Sequence, residues 1–148
     1  MSNSMLKDEV EVLSPGQSYR LICDDLVSTL VDVRTRAEWA YVGGVDLSAV
    51  SKKPVFLEWQ AYPSMQISSD FVQTLADQLR AAGATNNTPV LFLCRSGVRS
   101  LAAARALGAA GFERCINIAD GFEGPLDTAQ RRGAASGWKA SGLPWVQT

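Results

Sequence analysis

A chain of 148 residues, 47% hydrophobic and 20% charged, has the size of one domain and can bury a core without disulfides or metals. Its net charge of −1 offers no field for nucleic acid or an anionic membrane. The complete lack of histidine excludes Ser-His-Asp and Cys-His catalytic pairs and histidine-bound metals. Three widely spaced cysteines, Cys23, Cys94 and Cys115, fit neither a disulfide framework nor a CxxC or zinc pattern. The stretch MSNSMLKDEVEV has no apolar signal core, and no apolar run approaches membrane length, so the expected setting is cytoplasmic and reducing, with free thiols.

In chain order, residues 1–12 are polar and expected to be loose. Ser14-Pro15-Gly16-Gln17 has the form of a helix start, with Ser14 as N-cap and Gln17 closing a capping box, and the helix should run to about Cys23. Cys23 reads as a buried small hydrophobe. STLVDV (28–33) predicts a strand, and TRAEW (35–39) a second capping box opening a short helix that stops near Gly43-Gly44. PVFLEW (54–59) predicts another buried strand. The apolar spacing of Phe71, Val72, Leu75, Leu79 and Ala82 predicts a helix within 69–83, stopped by Gly83. TPVLFLC (88–94) predicts a strongly buried strand, SLAAARALGAAG (100–111) a helix, and RCINIA (114–119) a last strand. The tail, 120–148, is rich in glycine and carries Trp138 and Trp145, which predicts an ordered wrap with one or two short helical pieces. Strands alternating with helices imply crossover connections, hence an α/β fold with a mostly parallel sheet covered by helices, in one domain over 1–148.

The chemistry concentrates in CRSGVRS (94–100). Ligands of an open parallel sheet bind beyond the carboxyl ends of its strands, where Cys94 falls. Gly97 permits a positive φ, so that successive amides can form an anion cradle, and a helix starting near Ser100 adds its positive end. Arg95 and Arg99 add formal charge. These groups favour a thiolate at Cys94 without any histidine. No GxxxxGK[ST] phosphate loop is present. A cysteine-dependent phosphatase would place arginine six positions after the cysteine; that position is Ser100, and the arginine is Arg99. The shorter loop suits one sulfur atom, a persulfide, better than a phosphoryl group.

With LVDVRTRAEWAYVGGV (30–45), CRSGVRS in its strand–loop–helix setting, and GWKASGLPW (137–145), the chain resembles the single-domain rhodanese-like sulfurtransferases over about residues 12–147. The resemblance implies a parallel five-stranded sheet with helices on both faces. It implies a nucleophilic Cys94 that takes sulfane sulfur from a donor such as thiosulfate and passes it to a thiophilic acceptor. The main-chain cradle of the family carries over to Arg95, Ser96, Gly97, Val98, Arg99 and Ser100, and its loop-bracing pair to Asp32 and Arg34. Glu38 and Trp39 are expected to cap and pack. VGGVDLSAV (42–50) differs from the G-H-I-P-G-A-like stretch common in the family. The expected partners are a small sulfur-donor anion, a thiol or cyanide acceptor, and a protein sulfur acceptor; no cofactor, metal, nucleic acid or membrane is expected. Two other readings stand beside this one: a phosphatase or arsenate reductase using the same cysteine, and a non-catalytic rhodanese-like binding module. Glu58, Trp59, Asp120, Gly121 and Phe122, at other carboxyl strand ends, are candidate pocket walls. Cys115, at the opposite end of its strand, is a poor resolving cysteine.

Overall fold

Short apolar runs set the centre of the fold. TLVD, VLFL and CINI form β2 (Thr29–Asp32), β7 (Val90–Leu93) and β8 (Cys115–Ile118). The computed structural model describes residues 10–61 and 63–147. In it these strands lie side by side in a five-stranded parallel sheet of order β1-β8-β7-β2-β4, with β1 at Glu11–Leu13 and β4 at Val55–Phe56 on the two edges. The register sets Asp32 opposite Leu93, and Phe92 opposite Asn117. The carboxyl ends of the three central strands therefore open onto one rim.

Side chains alternate across this sheet, as the period of two requires. Val31, Val90 and Phe92 face one layer, packed with Leu75, Ala76 and Leu79 of α3 (Phe71–Ala81) and Ala103, Ala104 and Leu107 of α4 (Val98–Ala109). Leu30, Leu91, Leu93, Ile116 and Ile118 face the other, packed with Ile22 of α1 (Pro15–Asp24) and with Phe122 and Trp138 of the tail. Helices thus cover both faces. Among the described residues no helix is long and apolar enough to cross a membrane.

The local capping signals are used as the sequence implies. Ser14 and Gln17 form a reciprocal box at the head of α1, and Thr35 and Glu38 do the same for α2 (Arg36–Tyr41). Other expectations need correction. Residues 11 and 12 are not loose: they belong to β1, held in register with Ile116 and Asn117, while residues 1–9 lie outside the described residues. The run 54–59 is not a buried strand; only Val55 and Phe56 pair, at an edge, and Phe56 is half-exposed. Past it come two short antiparallel strands, β5 (Gln60–Ala61) and β6 (Gln66–Ile67). The helix after the cysteine begins at Val98, two residues earlier than Ser100. Cys23 is only partly buried. Among the described residues the tail contains no helix: it runs through turns, buries Trp138 completely, and pairs β9 (Trp145–Val146) antiparallel to β3 (Gly44–Val45).

Candidate active site

Strand β7 delivers Cys94 to the rim and α4 begins four residues later, so the turn between them is tight. Gly97 makes it possible. It stands at the N-cap of α4 with φ +107°, a conformation L residues seldom adopt, and an added Cβ would meet no atom closer than 3.7 Å. The constraint there is the backbone angle, not space. In this conformation the Gly97 amide donates to Cys94 Sγ at 3.1 Å. Ser100, buried in the first turn of α4, brings its Oγ to 3.2 Å from the same sulfur. The positive end of a twelve-residue helix lies over the thiol. Cys94 itself is 1% exposed.

The two arginines of the loop have different fates. Arg95 is exposed, beside Ser96, which is half-buried, and near Val98, whose side chain stands 76% exposed. Arg99 is engaged: its Nη1 and Nη2 donate to the two oxygens of Glu38 at 2.7 and 3.0 Å. The Glu38 oxygen Oε1 also accepts from Thr35 N at 3.1 Å and Thr35 Oγ1 at 3.0 Å. Burial pushes the Glu38 carboxyl up, but the bonds from Arg99 and Thr35 outweigh it and hold the group at about 2. The same pairing raises Arg99 against the lowering effect of its burial. The residue that closes the α2 capping box is therefore also the anchor of the loop arginine. Trp39, beside it, packs edge-on against Phe56 with ring centroids 5.1 Å apart.

Asp32 and Arg34 are both fully buried. Arg34 Nε donates to both Asp32 oxygens at 3.0 and 3.1 Å, and Nη2 to Oδ2 at 2.7 Å. Nη2 also donates to the Gly43 carbonyl at 2.7 Å, and the guanidinium carbon stands 4.4 Å over the Phe122 ring. Phe122 in turn donates its amide to the Cys94 carbonyl at 2.8 Å. The pair reaches the cysteine through Phe122, and none of the hydrogen bonds of its side chains among the described residues runs to the loop itself.

Beyond β8 the chain doubles back over the same backbone. The amides of Glu123 and Gly124 donate to the Arg95 carbonyl at 3.0 and 3.1 Å. Gly121 lies so close that a Cβ there would fall within 2.4 Å of the Cys94 carbonyl oxygen. Gly121 and Phe122 thus wall the cysteine from behind, while Asp120 is exposed at φ +62°. Of the other proposed walls, Trp59 belongs to the core, its ring edge-on to Phe71 at 5.0 Å, and Glu58 accepts from the Arg36 amide at 2.8 Å, at the head of α2. Cys115 is buried at the amino end of β8, and burial alone pushes its thiol up to about 12.

One residue of this cluster escaped sequence reasoning. Asn117 of β8 donates from Nδ2 to the Gly97 carbonyl at 3.1 Å and accepts from Ser100 Oγ at 2.6 Å. Its only signal was a single amide inside the apolar run RCINIA. Taken together, the site offers one buried thiol, an N–H donated to its sulfur, a serine oxygen beside it, a helix start over it, and an arginine paired with Glu38.

Residues 10–148 match the family model described as the STR4 middle domain. The crystal structure of Rv0390 from M. tuberculosis is similar at 40% identity and a TM-score of 0.83, over 94% of this chain and 98% of that one. The 30 kDa polysulfide-sulfur transferase homodimer of Wolinella succinogenes is similar at 21% identity and a TM-score of 0.59, over 98% of this chain and 84% of that one. A rhodanese-like domain protein from Staphylococcus aureus shares 20% identity at a TM-score of 0.51, over 76% of this chain and 87% of that one. The last two are likenesses of fold, and the fold is rhodanese-like.

Proposed function

We propose that this chain, which belongs to the STR4 middle-domain family, is a sulfurtransferase that carries sulfane sulfur as a persulfide on Cys94. One observation carries the reading: the Cys94 sulfur has a main-chain N–H and a hydroxyl within 3.2 Å, while Arg99 is committed to Glu38. The Gly97 amide is a fixed donor that stabilises a charged sulfur without reorganising, and the Ser100 hydroxyl lies within reach of the same charge. A phosphatase loop, by contrast, needs its arginine free to grip the phosphoryl oxygens. That need disfavours the phosphatase and arsenate reductase reading. Retention of the cysteine with its donors disfavours a purely binding role.

In the first half-reaction the Cys94 thiolate attacks the outer sulfur of thiosulfate. The new S–S bond forms as the old one breaks, and its electron pair leaves with sulfite. In the second, cyanide or a thiolate attacks the outer sulfur of the persulfide, and the electron pair of the broken bond returns to Cys94. No net oxidation occurs. The Gly97 amide and Ser100 hydroxyl hold the sulfur, the helix start offsets its charge, and exposed Arg95 draws the anionic donor in. A thiol acceptor on a protein would enter by the same face. The measurement is intact mass after thiosulfate or polysulfide treatment, together with transfer to cyanide. The native chain should gain one sulfur and Cys94→Ser should gain none. Transfer that survives Cys94→Ser, or aryl phosphate turnover that depends on Cys94, defeats the reading.

A further inference from the structure

Asn117 is the sole amide side chain of β8, among Cys115, Ile116 and Ile118, and all four residues are buried. Asparagine is depleted in strands, and a buried amide is costly unless both of its ends are bonded. Here both ends are bonded, and both bonds lead to Cys94. Oδ1 accepts from Ser100 Oγ, which lies 3.2 Å from the sulfur. Nδ2 donates to the carbonyl of Gly97, whose own amide donates to the sulfur at 3.1 Å. The four contacts close a ring through Cys94, Ser100, Asn117 and Gly97.

The ring has a definite direction. A carbonyl only accepts, so the Gly97 oxygen fixes which end of the amide faces it and turns Oδ1 toward Ser100. A serine hydroxyl has one hydrogen, so donating it to Asn117 leaves an oxygen lone pair facing a neutral Cys94 thiol. When the sulfur carries charge, that hydrogen has a stronger acceptor within reach. Asn117 thus decides where the Ser100 oxygen sits and where the Gly97 peptide points, without touching the sulfur.

We propose that Asn117 is a positioning residue for Cys94, acting jointly through Ser100 and Gly97. Its effect on sulfur transfer rests on the function proposed above; its coupling to Cys94 does not, and the test separates the two.

The experiment compares the full chain with Ser100→Ala, Asn117→Leu and the double variant, each checked for folding by circular dichroism. The first readout is the rate of Cys94 alkylation by iodoacetamide near neutral pH, followed by mass. Asn117→Leu should slow it about fivefold or more, and the double variant should be no slower than Asn117→Leu alone within about twofold, as expected for residues of one network. The second readout is steady-state transfer from thiosulfate to cyanide, where kcat should fall with KM for thiosulfate unchanged. An alkylation rate unaltered in Asn117→Leu, or two effects that simply multiply, overturns the proposal. Should Asn117→Leu fail to fold, Asn117→Thr fits the strand but lacks the amide that reaches Gly97, and carries the same expectation. Coupled alkylation in a chain that transfers no sulfur upholds the positioning role and defeats the sulfurtransferase.

Discussion

Arg99 stands five positions after Cys94, yet both of its terminal nitrogens go to Glu38, 61 residues earlier in the chain. The Glu38 carboxyl, held at about 2, is lower in the folded state than in the unfolded chain. Its contribution to stability is therefore complete above the ordinary carboxylate range and is lost as pH falls through about 2. Replacing it with Gln removes the charge but not the shape. Glu38→Gln should cost about 2 kcal/mol near neutral pH, the worth of hydrogen bonds to a charged group, and should flatten stability between about pH 4.5 and 2. Urea unfolding across that pH range checks both. Cys115 has the opposite sign: its folded thiol is raised to about 12 by burial, so the neutral form is favoured until strongly alkaline pH. At about pH 8, where thiolates are the alkylated species, native Cys115 should stay unmodified while Cys94 is consumed. Peptide mass mapping after a short iodoacetamide exposure reads both sites, and equal labelling would contradict the assignment.

Two glycines on either side of the cysteine backbone are constrained differently. At Gly97 a Cβ would make only ordinary van der Waals contacts, at 3.7 Å and beyond, so Gly97→Ala should cost about 1–2 kcal/mol from the unfavourable φ alone. At Gly121 a Cβ would strike the backbone of Cys94 and Arg95, within 2.4 to 2.7 Å. Gly121→Ala should lower the melting temperature at least twice as far as Gly97→Ala, as calorimetry would show. The legibility of these elements divides on the same line between local and distant causes. Ser14 with Gln17, and Thr35 with Glu38, are three residues apart, and both capping boxes could be read from the sequence. The buried strands at 29–32 and 90–93 announced themselves by composition. The start of α4 was misplaced because its N-cap is a glycine with no side chain to signal it, whereas the alanine pattern becomes plain only later. The pairing of β3 with β9 spans about a hundred residues and involves two residues on each side, too few to leave a periodicity. For the same reason the site was legible as a loop, from Cys94 to Ser100, but not as a cluster. Glu38 was assigned its cap and not its arginine, and Asn117 lies on a neighbouring strand that only the register brings level with Phe92.

At the scale of the whole molecule, one sheet face is covered by helices and the other is shared between α1 and the tail. Trp138 is the largest side chain buried in that second layer. It donates Nε1–H to the Pro144 carbonyl at 2.7 Å and meets the edge of Tyr19 on α1, with centroids 5.7 Å apart. Trp138→Ala should cost about 3–5 kcal/mol, the usual range for emptying a buried aromatic site. Because the tail is joined to Cys94 through Phe122, loosening it should also leave the thiol less able to hold sulfur. Chemical denaturation with parallel measurement of persulfide retention tests the two effects together, and a destabilised variant whose loop behaviour is unchanged would argue against the link. The hydrogen bonds from residues 122–124 to the carbonyls of Cys94 and Arg95 have a consequence for biosynthesis. A ribosome delivers the loop before it delivers the segment that fixes the loop's peptide planes. The nascent chain therefore carries an unshaped thiol, and the cysteine loop takes its final form only after the chain beyond Gly121 has emerged and folded back.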